Sequence, residues 1–260
     1  MAPIKIARRA FQIFFLASAS YLALKMILGL PTRTVEYYCP MGGIVSIYGL
    51  FKRQQFICAL GEMNLSLGLA LLGAVLITKR SFCSWICPIG GITESMVWVR
   101  RKIGIRDLLA SISPRTDLVI SKIKYIVLAI ILIMSYKLGE LVFRGFDPFY
   151  IIFTGTKGHG LLPVVSILIA IGVIAGLLVC SHSWCRYLCP LAAVMNPISR
   201  VGILKIRRDR AKCMQCEICG SVCPHRIPVH EKEKVSNPEC TNCFECLVSC
   251  PVEKALDLGL

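Results

Sequence analysis

The chain has 260 residues, of which 55% are hydrophobic, and its mean hydropathy is +0.67. That average is too apolar for an ordinary soluble domain and indicates an integral membrane protein. The formal net charge is +15, from 30 Lys and Arg against 15 Asp and Glu. Because these cations follow the pattern of a membrane topology, described next, we do not expect nucleic-acid binding.

Four apolar segments are long enough to cross about 30 Å of hydrocarbon. They run over Phe11–Leu30, Phe56–Thr78, Lys124–Phe143 and Leu161–Cys180. Four spans place both termini on one side. The two loops on the opposite side hold only five of the Lys and Arg residues: Arg33, Lys52, Arg53, Arg144 and Lys157. The positive-inside rule then predicts a multi-pass protein of the cytoplasmic (inner) membrane, with both termini cytoplasmic and its spans in contact with lipid.

Ionisable residues inside the predicted spans are few, and they lie toward the outer ends. They are Lys25, Glu62, Lys137 and Glu140. Residues of this kind are functional candidates by default, and we consider them as a quinone site that handles protons. The alternatives are an ion pair between Lys137 and Glu140 and a Lys25 side chain that reaches toward the interface.

An internal repeat divides the predicted membrane part into two halves, about 11–105 and 124–205. Phe82-Cys83-Ser84-Trp85-Ile86-Cys87-Pro88-Ile89 is echoed by Trp184-Cys185-Arg186-Tyr187-Leu188-Cys189-Pro190-Leu191. Each copy follows an even-numbered span and leads into a basic amphipathic stretch, 96–105 or 195–206, that we expect on the membrane surface. The halves are therefore predicted to be two helical hairpins related by a pseudo-twofold axis.

Each copy of the repeat contains two cysteines four positions apart, and residues at that spacing share one face of a helical turn. The four cysteines are Cys83, Cys87, Cys185 and Cys189. A pseudo-twofold axis brings them together at the cytoplasmic surface, where four thiolates suffice for a third [4Fe–4S] cluster. A redox-active dithiol and a turn that only ends a helix are the alternatives.

Cys39 and Cys58 lie in and beside the first loop on the outer side, 19 positions apart. A disulfide suits an oxidising compartment, while ligation of an outer cofactor and free thiols are the other interpretations. The residues after Cys39, Pro40-Met41-Gly42-Gly43, predict a tight turn or a short re-entrant segment.

The C-terminal end carries two copies of the pattern C-x2-C-x2-C-x3-C-P within residues 213–251. This is the pattern of bacterial ferredoxins with two [4Fe–4S] clusters, in which the fourth cysteine of a copy binds the other cluster. We therefore predict one ligand set of Cys213, Cys216, Cys219 and Cys250, and another of Cys240, Cys243, Cys246 and Cys223.

Zinc and disulfides are the alternatives for these eight cysteines. Zinc motifs usually pair one C-x-x-C with a second pair or with His across a longer gap, which two complete copies do not match. Cysteines held as thiolates need a reducing compartment, in agreement with a cytoplasmic C-terminus. The sequence has no C-x-x-C-H for a c-type haem, and none of its four histidines lies in the middle of a predicted span.

The predicted fold is an all-α membrane bundle of four transmembrane helices in two repeated hairpins (1–205), followed by a small α+β dicluster ferredoxin domain (206–260). Together with the paired Cys-x3-Cys-Pro motifs, this layout resembles the NapH-type membrane iron–sulfur (polyferredoxin) family. It is also similar to the methylamine-utilisation ferredoxin-like membrane protein and to the C-terminal half of the nitrous-oxide-reductase regulator. The segment at Cys39-Pro40 departs from the NapH-type pattern.

The resemblance implies electron transfer between quinone, as substrate, and an iron–sulfur or cytochrome protein partner, within a complex such as a quinol dehydrogenase. The motif cysteines carry over one by one. The alternative function is an assembly or regulatory protein that supplies electrons for maturation of a metalloenzyme. A neighbouring reductase gene would favour the first hypothesis and a neighbouring metal-insertion gene the second.

Overall fold

A computed structural model describes residues 2–30, 41, 43, 61–104, 112–138, 147–154, 168, 171–173, 175–176, 180 and 182–259. The residues discussed above as Cys39, Cys58 and Glu140 lie outside this part, and Glu62 is described only as a helical position.

The described part before residue 202 is helical. Its elements are α1 (Ala2–Ile27), α2 (Gly61–Thr78), α3 (Ser81–Trp85), α4 (Pro88–Ile103), α5 (Pro114–Ile120), α6 (Ile123–Leu138), α7 (Pro148–Thr154), a π-helical turn (Trp184–Leu188) and α8 (Pro190–Val201). Within the described residues, two stretches are long and apolar enough to cross a membrane, Pro3–Ile27 and Thr116–Lys137, and Leu65–Thr78 forms a shorter apolar helix. In the fourth predicted span, positions 168, 171–173, 175 and 176 are helical, and Cys180 lies in a bend.

Helix α1 begins at Ala2, nine residues before the predicted first span. The added turns contact other parts of the protein. Ile4 packs against the ferredoxin core, and the buried Arg8 pairs with Glu94 of α4 and Glu245 of the ferredoxin domain. The first residues of the chain therefore join the helical part to the C-terminal domain.

The amphipathic stretch predicted at residues 195–206 is divided between a helix and a strand. Helix α8 ends at Val201, and Ile206 lies in a β-strand. Half of α8 is buried, because it lies against α2 and α6 and beneath the ferredoxin domain. Gly202 ends the helix where a Cβ atom would stand 2.7 Å from the buried Lys79 side chain, so that the chain can turn closely past it.

The C-terminal domain is α+β, as predicted. Strands β1 (Lys205–Arg208) and β2 (Leu256–Gly259) pair antiparallel, and they enclose the short helices α9 (Ile218–Ser221) and α10 (Glu245–Val248) with a 3-10 turn at Val229–Glu231. Its core combines cysteines of both runs with aliphatic and aromatic side chains: Ile206, Ile227, Val229, Val235, Phe244, Leu247 and Leu256.

Candidate iron–sulfur centres

The eight ferredoxin cysteines line two separate cavities. Cavity 1 has about 370 Å³ of empty space and is lined by Cys213, Cys216, Cys219 and Cys250. Cavity 2 has about 340 Å³ and is lined by Cys223, Cys240, Cys243 and Cys246. The fourth cysteine of each run thus lies with the other run, which is the partition that the ferredoxin pattern predicts.

The two cysteine loops share an unusual backbone. Gln215 and Glu217 have φ values of 55° and 60°, and their counterparts Asn242 and Phe244 have 45° and 60°. Left-handed conformations at alternate positions let a short loop turn its backbone N–H groups inward toward an anion. In the first loop, the N–H of Gln215, with help from Arg208, lowers the pKa of the Cys213 thiol. The first loop therefore favours the thiolate at Cys213, whereas burial raises the pKa of four other ferredoxin cysteines: Cys219, Cys223, Cys243 and Cys246.

The four repeat cysteines line a third cavity, cavity 3, with about 700 Å³ of empty space. Cys83 and Cys87 come from the end of α3, and Cys185 and Cys189 from the π-helical turn. Within the described residues, no three His, Cys, Asp or Glu side chains converge as ligands of one ion do; the cysteines instead surround a space.

The two motif copies are built by the same hydrogen bond. The N–H of Cys87 donates to the Phe82 carbonyl at 2.9 Å, and that of Cys189 donates to the Trp184 carbonyl at the same distance. This bond to the fifth preceding residue widens the turn. Proline follows in both copies and starts the next helix, where its missing N–H costs nothing.

The acid–base properties of cavity 3 favour thiols over thiolates in the absence of a metal. Burial, followed by the neighbouring thiols, raises the pKa of Cys87 and Cys185 well above the usual range. Without a metal these groups are thiols. A coordinating iron deprotonates a thiol outright, so a cluster held here would bind these two cysteines as thiolates.

Buried charge around the cavities also fits an anionic cofactor. Among the described residues, six cations are buried against three carboxylates. The cations are Arg8, Lys79, Arg80, Arg100, Lys124 and Arg186, and the carboxylates are Asp117, Asp147 and Glu239. Burying charge is costly unless it is paired. Thiolate-bound iron–sulfur clusters carry negative charge, and one in cavity 3 would lie beside Arg80, which lines that cavity.

A polar network joins cavity 3 to the loop of cavity 2. Arg80, which lines cavity 3 and is fully buried, donates to Glu239 at 2.7 Å and to Asn196 at 2.8 Å. Glu239 directly precedes Cys240 and also pairs with Lys124 of α6. Burial by itself raises the pKa of Glu239, but Arg80 and Lys124 outweigh it and hold that pKa below the usual value.

The first motif copy contacts the cavity 2 loop directly. Ser84 donates to the Thr241 carbonyl at 2.8 Å, and the indole N–H of Trp85 donates to the Asn242 carbonyl at 3.1 Å. The Trp85 ring also packs edge-on against Phe244, with 6.0 Å between ring centroids. Residues between the two cysteines of the motif therefore hold the loop that lines cavity 2.

The second motif copy makes a different set of contacts. Arg186 and the Tyr187 hydroxyl both donate to the buried Asp117 of α5, and Arg186 also donates to the His225 carbonyl beside Cys223. The ring of His225 stands 5.2 Å from that of His182, which precedes the motif. Cavities 2 and 3 are thus bridged from both copies.

Asp147 is a site residue that the sequence analysis did not identify. The segment before the fourth span was expected as an outer loop, yet Asp147 and Phe149 line cavity 3. Helix α7 packs beside α1, where Phe153 contacts Ala19 and Ala23. Burial raises the pKa of Asp147 to about 7. The Asp-Pro dipeptide that opens α7 was the available signal, because Pro favours the first helical position and Asp the cap before it.

Of the ionisable residues considered for a quinone site, the two with described side chains, Lys25 and Lys137, line none of these cavities. Lys25, in the last turn of α1, places its ammonium 4.9 Å from the centroid of the Tyr21 ring, and Lys137 is exposed near the end of α6. The structure does not bring these two side chains together.

Comparison with known families agrees with the cysteine pattern. A family described as "4Fe-4S binding domain" matches residues 60–106 and 162–210, each of which contains one Cys-x3-Cys-Pro motif. A second family, "4Fe-4S dicluster domain", matches residues 205–251. No solved structure matches the chain.

Several curated relatives carry names of electron-transport or ferredoxin-type proteins. The chain is 30% identical to the electron transport protein YccM of Escherichia coli over 87% of its own length, and it spans 64% of the length of YccM. It is 30% identical to the ferredoxin-type protein NapH of the same organism, over 74% of this chain and 69% of NapH. It is 32% identical to the methylamine utilization ferredoxin-type protein MauN of Methylorubrum extorquens, over 62% of this chain and 56% of MauN.

The fold, the cysteine sets and these matches define a class, the membrane-associated iron–sulfur proteins that transfer electrons. Within that class, the chain belongs to the NapH-type family of ferredoxin-type proteins, as its identity with NapH over 69% of that protein shows. The resemblance inferred from the motifs is thereby confirmed.

Proposed function

We propose that the protein passes single electrons between the membrane quinone pool and a redox protein partner through three [4Fe–4S] centres. Cavities 1 and 2 would hold the two ferredoxin clusters, and the four cysteines of cavity 3 would hold the third. The observation that carries this proposal is the direct contact between the walls of cavities 2 and 3 through Ser84, Trp85 and Arg186. A bound cluster supplies reversible one-electron chemistry.

The protein's own residues set the order of the centres. Cavity 2 shares its domain core with cavity 1 through Cys219 and Cys246, and it contacts cavity 3 through the motif residues. Cavity 1 is at the other end, where Cys216 is exposed and Met214 is 64% exposed. We place the protein partner at cavity 1 and the quinone at the membrane end.

Metal analysis with redox-titrated EPR on the purified protein tests the number of centres. At four irons per cubane, we expect about twelve irons with matching acid-labile sulfide, and three reducible signals. About eight irons in fully reconstituted protein would show that the third centre is absent and that only the two clusters of the ferredoxin domain are bound.

The orientation of the domain is a second part of the proposal. Positive charge on one side of the predicted spans favours a cytoplasmic ferredoxin domain. Reporter fusions after Ile105 and after Leu260 should then report the cytoplasm, and fusions near Arg53 and Lys157 the outside. A reporter fusion after Leu260 that reports the periplasm would contradict this placement.

A further inference from the structure

The walls of the three cysteine cavities contain buried side-chain nitrogens that have no hydrogen-bond partner among the described residues. They are Nε of Arg80 in cavity 3, Nε of Arg208 and Nδ1 of His230 in cavity 1, and Nδ1 of His225 in cavity 2. An arginine Nε always carries a hydrogen and can only donate, whereas a histidine Nδ1 can donate or accept. Because a buried donor without an acceptor costs free energy, each of the two arginines presents an N–H that calls for an acceptor.

Arg80 is fully buried, and its other polar atoms hold it between the two motif copies. One terminal nitrogen donates to Glu239 at 2.7 Å and to Asn196 at 2.8 Å. The other terminal nitrogen donates to the Cys185 carbonyl at 3.5 Å, and the backbone carbonyl of Arg80 accepts the N–H of Cys83 at 3.0 Å. The guanidinium is therefore fixed beside a cysteine of each copy, with both terminal nitrogens occupied and Nε left over.

Arg208 shows how a guanidinium meets a cysteine in this chain. One of its terminal nitrogens donates to Cys213 Sγ at 3.6 Å, and both residues line cavity 1. The atoms that a thiolate-bound cluster adds to a cavity include sulfur acceptors, and hydrogen bonds to those sulfurs are one of the protein's means of setting the reduction potential. Sulfur in cavity 3 is therefore the acceptor that matches the buried Nε of Arg80.

We propose that Arg80 donates a hydrogen bond from Nε to a sulfur of the third centre and thereby raises the reduction potential of that centre. This role rests on the proposed function, because it needs a cluster on the four cysteines of cavity 3. Reduction adds one electron to the cluster and moves no proton, so the reduced form is the more negative one. A fixed, positively charged N–H donor stabilises the reduced form more than the oxidised form.

The test is redox-titrated EPR on full-length, iron-loaded Arg80→Gln. Glutamine removes both Nε and the positive charge, while Glu239 keeps its ion pair with Lys124. At a fixed solution potential near the wild-type midpoint, we expect the ratio of reduced to oxidised third centre to fall about tenfold. This corresponds to a midpoint potential lower by about 59 mV for a one-electron couple. The centre in cavity 1 should keep its midpoint potential.

Arg8→Gln is the matched control. Arg8 is also a buried arginine that pairs with carboxylates, and its Nε also lacks a hydrogen-bond partner among the described residues, but it lines none of the three cavities. We expect an unchanged midpoint potential of the third centre in this control. Arg208→Gln provides the opposite pattern, since it should lower the midpoint potential of the centre in cavity 1 and leave that of the third centre unchanged.

A measurement on the wild type tests the contact without any variant. Arg80 is the arginine that lines cavity 3. Protein grown with arginine isotopically labelled at Nε should therefore show, in pulsed EPR, a coupling between the labelled nitrogen and the reduced third centre.

The outcomes separate the role of Arg80 from the proposed function. A wild type with about twelve irons but no coupling from the label would overturn the role of Arg80 and leave the three centres. An equal midpoint potential of the third centre in the wild type and Arg80→Gln, or an equal shift in Arg8→Gln, would do the same. About eight irons in the fully reconstituted wild type would overturn both the third centre and the role of Arg80.

Discussion

The two copies of the Cys-x3-Cys-Pro motif have the same backbone but different contacts with the rest of the protein. In both, the second cysteine donates to the fifth preceding carbonyl at 2.9 Å, and proline starts the next helix. Two residues between the cysteines make the polar contacts, and these two residues differ between the copies. Ser84 of the first copy corresponds to Arg186 of the second, and Trp85 corresponds to Tyr187.

This difference separates two tasks within one short motif. The repeated positions build the cysteine cage, which needs matching geometry from both halves. The unrepeated positions attach that cage to asymmetric surroundings: the first copy to the cavity 2 loop through neutral hydrogen bonds, and the second to α5 through a buried ion pair. Substitutions at matched positions should therefore separate cofactor binding from attachment.

The largest expected effect is on the repeated positions. Changing Cys83 and Cys185 together to Ser should remove one cluster, about four of twelve irons, because one ligand is lost from each half of the same cage. Iron and sulfide analysis measures this. Cys180→Ser is the control, since Cys180 does not line cavity 3, and it should keep all the iron. Unchanged iron in the double variant would show that the two copies do not share a centre.

The next effect is at the second copy. Arg186→Ala leaves Asp117 as a buried carboxylate without its ion-pair partner, which should lower the free energy of unfolding by about 3–5 kcal/mol. Ser84→Ala, the matched change in the first copy, removes a neutral hydrogen bond and should cost about 1–3 kcal/mol. Denaturant unfolding in detergent compares the two. A larger loss of unfolding free energy in Ser84→Ala than in Arg186→Ala would contradict the proposal that the second copy makes the stronger polar contact.

A smaller difference in unfolding free energy is expected between variants of Tyr187 and Trp85, the aromatic residues at matched positions of the two copies. Tyr187→Phe removes a hydrogen bond to the Asp117 carboxylate and should cost about 1.5–3 kcal/mol. Trp85→Phe removes a bond to the Asn242 carbonyl but keeps a ring against Phe244, and should cost about 1 kcal/mol. Limited proteolysis of the ferredoxin domain gives a second measure, and equal protection in both variants would contradict the difference.

The smallest effect should come from Lys25→Met. This side chain lies over the Tyr21 ring at the end of α1 and lines none of the cysteine cavities. A cation–π contact at a partly exposed site contributes about 0.5–1 kcal/mol. Iron content and the rate of cluster reduction by a quinol should match those of the wild type. Slower reduction of the clusters by the quinol in this variant would instead support a quinone site that includes the outer ionisable residues.

Spacing and repetition made the cysteine sets predictable from the sequence, because ligand geometry is encoded within a few residues. Contacts between distant segments were not predictable in this way. The predicted topology places Lys79 and Arg80 on the cytoplasmic side after the second span, yet both are fully buried, and Arg80 pairs with Glu239, 159 residues away. Asp147 was missed for the same reason: nothing in the sequence around it shows that α7 packs beside α1 and reaches the cysteines.

The exchange of the fourth cysteine between the two ferredoxin runs has a consequence for biogenesis. Cavity 1 needs Cys250, and cavity 2 needs Cys223 from the earlier run. During synthesis, cavity 2 can therefore be completed once Cys246 has emerged, whereas cavity 1 waits for Cys250. A cluster in cavity 2 would therefore be inserted no earlier than the emergence of Cys246, and one in cavity 1 no earlier than that of Cys250. A chain interrupted between Cys223 and Cys240 would have neither cavity complete.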